Sequence, residues 1–186
     1  MSAEIKKIII DVPTIYFGTI TNPSDLSGLQ DNELGMTSGG LKLSFVPTTH
    51  DIEFDNRNGR KIKDMSRVLA WECSAEATGI ELSEKMLDFS LLKKSGDNLN
   101  GYNKFVPSNE VTYQDIVIVG KLHETNKPAV VVMKNCFNEN GLSLDTKDSD
   151  EAKFNFKAVA HYEYNPLEEA KGNIKMPVEI FLPSGK

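Results

Sequence analysis

The residues in this 186-residue chain whose types could do chemistry are two cysteines, three histidines and two knots of carboxylates. Cys73 and Cys136 each sit inside an apolar, β-rich run, so they read as buried free thiols, a bridge between them being the alternative. His50, His123 and His161 are far apart, lack H-x-x-x-H spacing and fall on strand ends or polar faces, the pattern of solvated histidines rather than metal ligands. The segment DIEFDNRNG at Asp51 to Gly59 has the look of a calcium loop, but placing Gly59 at the turn puts Phe54 at the first ligand position and Met65 where a glutamate is required. DTKDSDE at Asp145 to Glu151 could gather three carboxylates around a calcium ion; a solvated hairpin tip is the simpler reading. No G-x-G-x-x-G, G-x-x-x-x-G-K-S/T or G-x-S-x-G occurs, so neither a phosphate cradle nor a nucleophile elbow is encoded. Trp71 alternates with residues of a strand interior and reads as core rather than as a sugar-stacking platform. No constellation for a catalytic pocket emerges, and the expectation is a protein that is not an enzyme and holds no cofactor or metal.

The totals narrow the classes further. A net charge of −6 without a basic stripe argues against a nucleic-acid binder that works by neutralising phosphates. No apolar run approaches the roughly 18 residues of a membrane span, and Ile8 to Ile10 is too short for a leader, so manufacture and use in a cytoplasm, or release from one without secretion, is expected, with no membrane partner. The length suits one domain over 1–186.

The elements that must position these residues are mostly strands. EAKFNFKAVAHYEY at Glu151 to Tyr164 alternates apolar and polar residues with period two, a long strand with one dry and one wet face. Arg67 to Thr78 repeats the pattern, with Leu69, Trp71, Cys73, Ala75 and Ala77 on one face and Ala70, Glu72, Ser74, Glu76 and Thr78 on the other. Residues 4–17 give a β-rich run bent by Pro13. The Gly-, Ser-, Asn- and Asp-rich stretch 18–40 reads as a long arm or contact loop. Leu41 to Phe45 and Ile52 to Phe54 alternate around a turn at Pro47 to His50, Asn58-Gly59 marks a second turn, and Lys61 to Met65 runs back from it. One helix is expected, capped by Ser83, with Leu82 and Leu87 as a hydrophobic staple, Lys93 and Lys94 in its last turn and Gly96 at its exit. Asp97 to Asn109 reads as a loop. Val111 to Leu122 and Ala129 to Phe137 have near-continuous apolar centres, as strands covered on both faces do. Val178 to Leu182, bracketed by prolines, reads as an edge strand. About eight strands and one short flanking α-helix make an all-β sandwich or barrel.

Two segments carry a resemblance. GGLKLSFVPTTHDIEFDNRNGRKIKDMSRVLAWECSAEATGIELSEKMLDF at Gly39 to Phe89, and KFNFKAVAHYEYNPLEE leading to PVEIFLP, resemble the major tail (tail tube) proteins of long-tailed bacteriophages. The first is similar to that family's glycine-led strand, acidic strand, basic turn, long strand and short capped helix; the second to its "F-x-A-H-Y" strand, closed by proline and a short aromatic-aliphatic strand. The resemblance covers a little over half the chain. It implies a sandwich with a flanking helix that forms hexameric rings stacked into a hollow tube, in the virion tail, after assembly in the bacterial host cytoplasm. Implied partners are further copies of the chain, the initiator or tip, terminator and tape-measure proteins, and DNA in transient, non-specific passage.

Under that reading the wet faces of the two longest strands, Glu72, Ser74, Glu76 and Lys153, Asn155, Lys157, line the channel. An acidic wall would let a polyanion slide where a basic wall would hold it, and the lysines on this face count against uniform acidity. The competing expectation is a β-sandwich module that binds carbohydrate or protein. A flat, exposed cluster including Tyr102, Phe105 and Tyr113 would favour it.

Overall fold

The computed structural model describes residues 9–55, 58–122 and 127–183, which leaves His123 and the turn around it outside the described residues. Among the described residues, ten strands run in the order β1 (Ile9–Phe17), β2 (Thr37–Asp51), β3 (Ser66–Gly79), β4 (Leu92–Leu99), β5 (Tyr102–Pro107), β6 (Gln114–Leu122), β7 (Ala129–Asn138), β8 (Leu144–Asp145), β9 (Lys153–Ala160) and β10 (Val178–Phe181). Two short helices interrupt them, α1 (Glu84–Phe89) and α2 (Pro166–Ala170). The chain is thus all-β, as the alternation predicts, with one helix more than expected.

Every strand pairing is antiparallel, and β7 joins two sheets. Its first half lies between β6 and β10 in a sheet ordered β1-β6-β7-β10, with Val178 opposite Met133 and Phe181 opposite Val130. Its last residues, Phe137 and Asn138, pair instead with Val159 and Ala158 of β9, which carries the second sheet on through β3 to β2. The change of sheet needs a bend, and the ladder supplies it. Asn135 adopts φ 50°, the left-handed region that asparagine tolerates, and the β6–β7 register shifts between Gln114 and Ile116.

The core lies between the two inner faces. Ile15, Phe17, Ile116, Ile118 and Met133 from the first sheet meet Cys73, Ala75, Phe154, Phe156 and Ala158 from the second. The small side chains of β3 leave room for the two phenylalanines of β9. Met86 and Phe89 close one end from α1, with the Phe17 and Phe89 rings edge-on at 5.2 Å. Ser83 caps this helix as its type predicts, Oγ accepting from the Met86 N–H at 3.1 Å.

Several expectations shift. The helix stops at Phe89 because Leu91 turns left-handed at φ 63°; Lys93 and Lys94 therefore lie in β4, not in a last helical turn. Residues 97–109, expected as a loop, belong largely to the β4–β5 hairpin, whose Asn100-Gly101 turn has φ 50° and 86°, the type I′ pattern. Pro47 to His50 is no turn. β2 runs through it to Asp51, because β2 is an edge strand and an edge tolerates a missing N–H. The strand expected over 151–164 is β9 alone, eight residues, since the chain leaves the sheet at His161. The stretch 18–40, expected as an arm, folds onto its own sheet over much of its length. Leu29 and Leu26 cover Val117, Val130 and Val132 on the outer face of β6 and β7, the Leu34 N–H donates to the Ile15 carbonyl, and residues 37–40 belong to β2. That cover is why β6 and β7 are apolar on both faces.

Candidate functional site

The outward face of the second sheet holds the wet-face residues expected, on the tube reading, to line the channel. Alternation on β3 and β9 puts Glu72, Ser74, Glu76, Lys153, Asn155 and Lys157 on one side, and the register sets Glu76 opposite Lys157 and Thr78 opposite Asn155. Lys42 of β2 joins them, its Nζ 3.0 Å from Glu76 Oε2. Lys157 stands between Glu72 and Glu139, at 3.8 and 3.6 Å. The Thr78 hydroxyl donates to Asn155 Oδ1 at 2.8 Å. Two of the six differ in environment. Lys153 sits at the far end and pairs with Asp150 at 3.2 Å, whereas Ser74 is only 4 % exposed and takes no part in the open face. Gly39 and Gly40, at φ 84° and 93°, insert a bulge in β2 beside this face, and the surface there is hollowed into a polar concavity of about 650 Å³. The arrangement is a lattice of compensated charges, with cation and carboxylate alternating across the ladder.

Sequence reasoning missed a second feature. β9 pairs with β3 only from Cys73 to Gly79, so beyond that point β2 and β3 continue as a two-stranded ribbon with no third strand among the described residues. Val46, Val68 and Leu69 on the ribbon, and Ile52 and Phe54 at its tip, are each about half exposed. The backbone N–H of Trp71, left without a β9 partner, donates to the Tyr162 hydroxyl at 2.8 Å. Trp71 is 36 % exposed, not core as its alternation implied, because the inner face of β3 runs past the cover of the first sheet. It borders an apolar groove of about 220 Å³ with Phe45, Cys73, Met176, Val178 and Ile180, where β10 approaches the base of the ribbon.

The bend in β7 makes a polar junction. Asp115 accepts from the Asn135 N–H at 2.9 Å and pairs with Lys134 Nζ at 3.0 Å, and Lys134 also donates to Thr19 Oγ1. His161 Nδ1 lies 3.1 Å from the Asn135 carbonyl and 3.0 Å from that of Val159; both can only accept, so Nδ1 carries the proton. The imidazole stacks on Phe137 at 5.1 Å and meets Tyr113 edge-on at 5.2 Å. An aromatic cluster containing Tyr113 therefore exists, but it is built with Phe137 and His161; Tyr102 and Phe105 lie on the β4–β5 hairpin.

Cys73 and Cys136 are buried free thiols. Burial pushes both upward from the ordinary thiol range, Cys136 further because it lies deeper; Asp115 and Cys73 add to the effect there, as Glu72 does at Cys73. The acidic loop after β8 is exposed, and Asp150 is held below the usual carboxylate range by hydrogen bonds from Glu151 and from Lys153. Among the described residues, no group of three His, Cys, Asp or Glu side chains is placed to hold a metal ion, and no helix is long and apolar enough to cross a membrane. No protein-family model and no curated protein matches this sequence.

Proposed function

We propose that the chain is the repeating subunit of a hollow tube, a structural virion protein whose hexameric rings stack into the tail tube through which a long-tailed bacteriophage delivers its DNA. The ribbon is the observation that carries this reading. Strands of 15 and 14 residues extend well past their third partner and hold apolar side chains in water on an isolated subunit. Such surface marks a contact with another protein. β2 is also a free sheet edge, and a closed ring is one way to pair such edges. The ring, its size and the passage of DNA come from the sequence resemblance; the need for a partner comes from the ribbon. On this reading the chain acts by geometry and charge rather than by catalysis, and its other contacts are with initiator, terminator and tape-measure proteins.

Negative-stain electron microscopy of the purified protein, concentrated to milligrams per millilitre and followed by light scattering, tests the reading. Rings or tubes with a central channel are expected. Monodisperse monomers that persist when a tail-initiator complex is added as a seed would overturn it. The second reading, a β-sandwich binding module, is favoured by the half-exposed Tyr113 beside Phe137 and His161. Saturable binding of a glycan or peptide that Tyr113→Ala abolishes would support that reading.

A further inference from the structure

We infer that the groove between β10 and the base of the ribbon is a socket for Phe54 of a second copy of this chain. The inference rests on the self-association reading and names the two surfaces that meet. At about 220 Å³ the groove is smaller than the roughly 300–1,000 Å³ of small-molecule sites, yet it would hold roughly seven waters against a lining of Phe45, Trp71, Cys73, Met176, Val178 and Ile180. Such a space fits one large apolar side chain presented by a protein. β10 adds a second element of recognition, because one of its backbone edges pairs with β7 and no other strand lies on its far side among the described residues.

The same chain presents the matching knob. Phe54 is 46 % exposed at the ribbon tip, with Ile52 exposed beside it. It cannot fill its own socket. Trp71 at the socket and Ser66 at the tip end of β3 are five residues apart on one extended strand, which holds them roughly 16 Å apart. A knob and a socket at different places on one molecule make a heterologous contact, which repeats head to tail and closes into rings or continues as a filament. Net charge is of opposite sign on the two surfaces. The tip segment, residues 51–67, holds five basic residues against four acids, Asp51, Glu53, Asp55 and Asp64; residues 161–183, which carry β10, hold four glutamates against two lysines.

Trp71 is the chain's single tryptophan, so its fluorescence reports the socket directly. Acrylamide quenching of Trp71 is measured from dilute to concentrated protein, with light scattering on the same samples. Quenching is expected to fall as wild-type protein associates. Phe54→Asp and Ile180→Asp each change an exposed position, so circular dichroism should stay native, while each weakens association about tenfold or more and abolishes the protection. An equimolar mixture of the two variants should recover partial protection, since the intact socket of one accepts the intact knob of the other. Assemblies whose Trp71 stays as open to quencher as in the monomer would overturn the socket and leave the self-association reading standing. No assembly and no protection at any concentration, even with a tail-initiator complex added as a seed, would overturn both. Failure of the mixture to recover protection, when each variant alone has lost it, would overturn the pairing of knob with socket.

Discussion

Gly79→Ala should cost far more than its size suggests. A Cβ built on Gly79 would stand 2.2 Å from Cζ of Phe154, with two further ring carbons at 2.6 and 2.8 Å. Carbon contacts sit near 3.5–4.0 Å, so ring and backbone must separate by about 1.3 Å or more. Phe154 is 2 % exposed and directly opposite Gly79 in the β3–β9 ladder, so the ring has only packed core to move into. Overpacking of this kind costs about 3 kcal/mol, the upper part of its usual range. For a chain of this length that lowers Tm by about 6–12 °C. Phe154→Ala alone should cost about 3–5 kcal/mol through its cavity. In that background, however, the added methyl enters empty space and also restricts the unfolded chain, so Gly79→Ala should become neutral or stabilising. Urea titrations of the four proteins, followed by Trp71 fluorescence at a concentration where all are monomeric, give the coupling directly; about 3 kcal/mol is expected. A Gly79→Ala cost below about 0.5 kcal/mol, or an equal cost with and without the Phe154 ring, would refute the close approach. The point bears on function because this contact fixes the register of β3 on β9. A slip of β9 by one residue on β3 would turn Asn155 and Lys157 into the core.

Two other outcomes follow from the bend and from the thiols. Asp115→Ala removes the acceptor of the Asn135 N–H and the partner of Lys134 where β7 changes sheets, and should cost about 1–3 kcal/mol in urea titrations, with Asp115→Asn losing less because it keeps an acceptor oxygen; an unchanged midpoint in both would show that the bend holds without it. Because the folded thiols of Cys73 and Cys136 ionise at higher pH than unfolded ones, the stability tied to their neutral forms is complete below about pH 8.5 and is lost as pH rises towards the folded values. Native protein at pH 8 should therefore exclude a thiol reagent and release two thiols together only on unfolding, while rapid modification of either cysteine in the native state would refute its burial.

What was legible in the sequence was whatever depended on period and on turn chemistry. Alternation locates β3, and near-continuous apolar runs locate β6 and β7, nearly to their ends, while Ser83 marks α1, because each signal acts within a few residues. Asn100-Gly101 falls in the stretch that reads as a loop, yet it is the tip of a hairpin whose flanking strands, with Lys93, Lys94 and Lys104, lack an apolar alternation strong enough to announce them. α2 did leave a signal, Asn165 as cap with Pro166 and two glutamates in its first turn, and Asn165 Oδ1 accepts from the Leu167 and Glu168 N–H groups. What alternation does not encode is where a neighbouring strand ends. Trp71 has the phase of a core residue and Ser74 that of a wet one, yet burial depends on how far β9 and the first sheet reach along β3. The ribbon and its groove were hidden for the same reason.

The lysines on the outward face of the second sheet bear on the tube reading in a way that composition could not anticipate. A polyanion is held when free ammonium groups displace its counterions, so the quantity that matters is uncompensated positive charge rather than the number of lysines. Here Lys42 is paired with Glu76, Lys157 with Glu72 and Glu139, and Lys153 with Asp150, so the three cations stand against four carboxylates. These are partly exposed pairs worth little to stability. Their consequence is local neutrality. DNA that displaced a carboxylate from a lysine would gain one contact, lose another and meet the freed carboxylate, leaving little net attraction. On the tube reading, a slippery wall therefore does not require a uniformly acidic one; it requires each cation to arrive with its acid beside it, which here comes from β2 against β3 for Lys42, from β3 and the turn after β7 for Lys157, and from the preceding loop for Lys153.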